Sequence, residues 1–193
     1  MKKYTASEFL KIAEYDEESD AYFVDADGED ITITASKWDD DCNYGMRGDK
    51  RGAIIVDGTG KGAAIRKGNG AGSAIRDGSG DGSAIREGAG LGDAIRDGSG
   101  KGWALRYGAG DGDAIRDGEG RGDASRFGKG NGSAYRCGAG AGDATRFDSG
   151  DGDAIRNGSA DGSAYHAGSG EGFAYIKGSG NGSAYRNGVE IKR

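Results

Sequence analysis

The sequence predicts an all-β repeat solenoid: a narrow, glycine-rich β-solenoid of ten-residue units with a small N-terminal α+β cap. Three observations carry that prediction. The first is a decapeptide period, x-G-[SD]-A-[IY]-R-x-G-[SA]-G, running onward from Gly52. The second is composition: 42 glycines and no proline among 193 residues, of which 34% are hydrophobic. Three glycines per unit would cost an α-helix about 3 kcal/mol relative to alanine, and collagen needs glycine at every third residue with abundant proline. The third is register. Alanine fills position four thirteen times, from Ala64 to Ala184, and arginine stands two places later from Arg66 to Arg156. A disordered linker has no reason to hold such a register.

The elements follow in chain order. Residues 1–51 form the predicted cap, a helix followed by a β-hairpin. Thr5 and Glu8 have capping-box spacing, so each can satisfy a first-turn amide of the helix that follows. Phe9, Leu10, Ile12 and Ala13 give that helix an apolar stripe. "AYFV" and "ITITA" are short β-prone runs on either side of "DADGED", which reads as a hairpin turn at Gly28. The cap is acidic: 7 basic against 14 acidic side chains, a net of −7, whereas residues 52–193 carry 19 and 18, a net of +1.

From Gly52 to residue 193 each unit lays a short strand, "SAIR" or "DAIR", on a strand of a neighbouring unit, and glycines make the corners. Positions are numbered here by the last digit of the residue number. The even positions hold Gly, Ala, Arg, Gly and Gly with little variation, while the odd positions vary. Alternate strand residues face opposite sides, and an interior restricts size, so the even set is read as inward. The opposite assignment, Ile and Tyr inward, leaves the constant alanine unexplained. A coil of ten residues and a flattened coil of twenty both fit. "NGVEIKR" breaks the rhythm, so residues 187–193 are read as a C-terminal cap.

The chemistry this pattern can carry is limited, and no enzyme, cofactor or metal site is expected. His166 is the sole histidine and occupies an arginine slot; a Ser–His–Asp site would have only that imidazole to draw on. The Gly-x-Gly pairs lack the Lys-Ser/Thr of a phosphate loop and are read as corners. Aspartate at position three alternates with serine, as at Ser83, Ser133 and Ser183, which does not suit the fixed aspartate of calcium-binding repeats. Cys42 and Cys137 are read as two reduced, partly buried thiols.

Stacked arginines would repel by about 0.9 kcal/mol per neighbouring pair even in water. Asp77, Glu87, Asp97, Asp117 and the aspartates at 93, 113, 123, 143 and 153 alternate with them in sequence, and corner carbonyls can accept guanidinium donors. The row is therefore read as structural, with a phosphate-binding ladder as its rival. The net of +1 does not suit nucleic acid as a partner.

The odd positions offer a candidate partner surface: Trp103, Leu105, Tyr107, Phe127, Tyr135, Phe147, Phe173, Tyr175 and Tyr185. Phe127 and Phe147 stand beside a position five reduced to Ser125 and Thr145. The acidic cap offers another: Asp16, Glu17, Glu18, Asp20, Asp39, Asp40 and Asp41.

With its "SAYR" and "DAIR" cores, the array over residues 52–193 resembles glycine-rich decapeptide-repeat proteins encoded by tailed bacteriophages. That resemblance implies expression in a bacterial cytoplasm. A weaker likeness is to midge antifreeze proteins with ten-residue coils, although the cysteine pair of each coil is missing here. Residues 1–10 lack the apolar stretch of a secretory signal, and no apolar run approaches the ~18 residues of a membrane span, so the cytoplasm is the expected compartment. The expected function is a non-enzymatic, rigid binding protein that occupies a host or defence protein. The alternatives are a self-assembling structural or adhesive spike, which predicts a homo-oligomer, and an ice-binding protein.

Overall fold

The computed structural model describes residues 1–39 and 42–191. It is a β-solenoid with one short helix. The chain runs through β1 (Lys2–Thr5), α1 (Ala6–Leu10), β2 (Glu14–Asp16), β3 (Ala21–Asp25), β4 (Ile31–Ala35) and β5 (Asn43–Arg47). Strands β6 to β19 follow, one per decapeptide from Ile54–Gly58 to Ala184–Arg186, and β20 (Val189–Ile191) ends the series.

Consecutive decapeptides do not pair with one another. Ala94 aligns with Ala74 on one side and Ala114 on the other, so the coil has twenty residues and two units build each turn. The described strands form two sheets. The nine-stranded sheet has the order β1-β4-β6-β8-β10-β12-β14-β16-β18, and the eleven-stranded sheet β2-β3-β5-β7-β9-β11-β13-β15-β17-β19-β20. Pairing is parallel and in register along the array. Eleven strands at ~4.8 Å make a stack of roughly 50 Å.

The even positions face inward. Ala64 to Ala164 and Arg66 to Arg156 are buried, while position five is mostly half-buried. The interior is thin because the corner glycines admit nothing larger. A Cβ on Gly120 would lie 2.0 Å from the Gly100 carbonyl oxygen of the preceding turn. Gly118 adds a second reason, with φ of +101°, a region that costs other residues steric strain.

The predicted helix is present, and both halves of the Thr5–Glu8 capping box form. The predicted hairpin between "AYFV" and "ITITA" is not. β3 and β4 lie in different sheets, and the "DADGED" segment is a solenoid corner that crosses between them. On β3, Tyr22 and Val24 pack against the buried cluster that holds Ile31, Ile33 and Ala35 of β4, while Ala21 and Phe23 are buried in a separate cluster with Ala63 and Ile65. Opposed sheets bring Tyr22 and Val24 to the same interior as the β4 residues, whereas a two-stranded hairpin would set them side by side on one sheet. The hairpin that does form joins β2 to β3.

The composition break at Arg51 is a change of core, not of sheet. β4 pairs with β6, and β5 with β7, straight across it. Inward positions there hold Ile54 and Val56, aligned with Ala74 and Arg76 one turn later. Phe9 of α1 plugs this end, fully buried against Tyr44 at a ring separation of 5.8 Å. At the other end β20 adds antiparallel to β19.

Buried arginine columns and a candidate binding face

The arginines form two internal columns, one behind each sheet. Position six is followed by a corner whose carbonyls turn inward, and the guanidinium fills that corner. Arg106 shows the fullest set, whereas the buried Nε of Arg86, Arg96, Arg136, Arg146 and Arg156 has no partner. The Arg106 Nε donates to the Gly92 carbonyl at 3.0 Å, and Nη1 to Gly88 at 3.1 Å and to the neighbouring Tyr107 carbonyl. Nη2 donates to Gly90 and Gly110, both at 2.8 Å. The donors of a planar fork are thus used almost entirely on main-chain oxygens, which a lysine ammonium could not span.

Among the described residues no carboxylate forms an ion pair with a column arginine. The alternating aspartates expected to neutralise the row do not do so by contact, because positions three and seven face outward. Carbonyl dipoles take that role. Burial, then the flanking arginines, pull Arg86, Arg96, Arg126 and Arg136 down to about 10, which keeps them charged at neutral pH. The ten arginines from Arg66 to Arg156 are buried, so the phosphate-ladder reading falls: no ligand reaches them.

His166 sits in one of these columns, aligned between Arg146 and Arg186. It is buried, and neither ring nitrogen makes a hydrogen bond of normal geometry. Burial first, then Arg186 and Arg146, push its pKa below the usual 6.5. Neither Cys42 nor Cys137 is in a disulfide, and both are half-buried; burial raises the Cys137 thiol.

Position three has a main-chain function that the sequence only hinted at. Its side chain accepts from the N–H of the residue twenty places on. Asp113 accepts from Ser133 at 2.8 Å, Ser133 from Asp153 at 3.0 Å, and Asp153 from Phe173 at 2.9 Å. Serine and aspartate alternate there because either oxygen serves.

The candidate partner surface is divided between two faces. Tyr135, Phe173 and Tyr175 belong to the nine-stranded sheet, and Trp103, Leu105, Tyr107, Phe127, Phe147 and Tyr185 to the eleven-stranded one. On the latter the rings stack. Tyr107 and Phe127 have centroids 5.1 Å apart, and Phe127 and Phe147 5.4 Å, with planes within 11°. Tyr165 and Tyr185 continue one column across at 5.0 Å. Ser125, beside Phe127, is buried, so the size exchange between positions five and seven packs the stripe. Tyr107 and Phe147 nevertheless stay 37% and 41% exposed.

The acidic cap residues lie in two loops. Asp16 accepts from Ser19 Oγ at 2.6 Å and Glu18 N–H at 3.1 Å, and Asp20 from Tyr15 at 2.9 Å, all within the β2–β3 turn that also holds Glu17. Asp39 closes a separate turn with the Ser36 N–H. Asp40 and Asp41 lie outside the described residues.

Compared with protein families, curated proteins and solved structures, the chain matches none of them.

Proposed function

We propose that this protein is a non-enzymatic, rigid binding rod that presents the outer face of its eleven-stranded sheet to a protein partner. One observation carries the reading: the stacked stripe of Tyr107, Phe127 and Phe147, continued by Tyr165 and Tyr185. Its rings are held by an in-register sheet, so they lose little freedom on binding, which is the property of an affinity anchor. A solvent-exposed aromatic run of several rungs is costly unless something covers it. The sole imidazole is buried in an arginine column, which leaves the surface without the commonest general base. The resemblance to phage-encoded decapeptide proteins supports a bacterial host or defence protein as the partner, occupied and thereby inhibited.

The test is capture from bacterial lysate by the protein and by a Tyr107→Ser/Phe147→Ser variant, each with its size-exclusion mass. The expected result is one partner, stoichiometric with the parent and lost from the variant while the β-sheet spectrum is unchanged. A homo-oligomer with no partner would support the spike instead.

A further inference from the structure

Beyond the stripe, one corner of the eleven-stranded sheet keeps its main-chain ladder but has N–H groups that no side chain of the preceding coil accepts from. Down position three of this column, Ser83 accepts from the Trp103 N–H at 3.1 Å, Asp123 from Asp143 at 2.9 Å and Asp143 from Ser163 at 2.7 Å. Trp103 interrupts the series, because an indole only donates, and the Asp123 N–H receives no side-chain acceptor. Position one repeats the departure. Lys101 donates its N–H to Asp81 at 2.8 Å, but Lys101 and Arg121 themselves offer only donors to the N–H groups of Arg121 and Ala141.

These residues line one groove of about 610 Å³ floored by four glycines. Trp103 stands over it 53% exposed. The groove therefore combines a flat aromatic face, a side-chain-free floor, two cations and main-chain N–H groups left without a side-chain acceptor. Its one carboxylate, Asp123, already accepts from Asp143.

We infer that this groove binds an acidic saccharide. A pyranose lays its C–H face on a single exposed indole, and its hydroxyls meet Ser83 and the free N–H groups. A ring carboxylate meets Lys101 and Arg121. An aromatic anion would want a second ring opposite the first, and the glycine floor supplies none. The site is open rather than enclosed, so successive sugar rings can extend along the rungs.

The experiment uses the full chain with Trp38→Phe, which leaves Trp103 as the only tryptophan of two. Its emission is titrated with hexagalacturonate and with neutral cellohexaose. The expected result is a saturable change with hexagalacturonate, at least tenfold weaker with cellohexaose. Lys101→Gln and Arg121→Gln each weaken the acidic ligand at least tenfold. Trp103→Ser, followed by calorimetry, abolishes binding yet raises Tm, because serine restores the acceptor for Asp123. Equal binding of the two sugars, no saturable response, or a lowered Tm for Trp103→Ser overturns the inference. Phe147→Ser leaves sugar binding unchanged, so this result is independent of the protein-partner reading.

Discussion

Each buried column arginine is a cation solvated largely by its own fold. Arg106 meets five carbonyls, and removing it strands them in a dry corner, where an unpaired acceptor is expensive. Arg106→Ala is expected to cost about 3–5 kcal/mol, the range for breaking a buried charged cluster, and Arg106→Lys to recover only part of it. Chemical denaturation measures both. His166 is the weak member of its column. Its folded pKa lies below the unfolded 6.5, so the unfolded chain takes up the proton first. Stability is complete above pH 6.5 and declines as pH falls toward the folded value. His166→Arg is expected to raise Tm and remove that acid-side loss; an unchanged pH profile would contradict the assignment. Asp148 is the exception in a glycine column, with φ of +103°. Asp148→Gly relieves that strain and is expected to stabilise by about 1 kcal/mol.

The decapeptide is the unit of sequence, but the pair of decapeptides is the unit of structure. Twenty-residue pairing sets Tyr107 on Phe127 and Phe127 on Phe147. Deleting residues 112–121 sends every later unit to the opposite sheet. The β-sheet signal is expected to survive, because both sheets share one consensus, while Tyr107 loses its stacking partner and the near-ultraviolet dichroism of the ring stack falls. Deleting residues 72–91, a whole coil, leaves the stack intact. The inward alanine and arginine were legible because an interior tolerates little change in size, and the capping box because its geometry is local. The winding was not, since Ala94 reads equally well against Ala104 or Ala114. The cap was misread for a related reason: "DADGED" is a good turn, and nothing local says whether a turn returns to its own sheet or crosses to the facing one. The division of the aromatic residues between two faces follows from the winding and was hidden with it.

The whole molecule is stabilised by main-chain ladders around a core of methyl groups and guanidinium forks. Its heat-capacity change on unfolding is expected to fall well below the usual ~12–15 cal/mol/K per residue, because little apolar and much polar surface is buried. Differential scanning calorimetry measures it. Apolar burial is concentrated where Phe9, Ile31, Ile33, Tyr44, Met46, Ile54 and Val56 meet, which makes the N-terminal coils the natural place for the stack to nucleate. The central claim is the twenty-residue coil with two facing sheets, and engineered disulfides test it most directly. In a background without Cys42 and Cys137, cysteines at Ser125 and Thr145 occupy adjacent rungs of one sheet, about 4.8 Å apart and within bridging range. Cysteines at Ser125 and Tyr135 lie on opposite outer faces. The twenty-residue coil predicts rapid oxidation of the 125–145 pair and none within the 125–135 pair; bridging within the 125–135 pair and none within the 125–145 pair would contradict it.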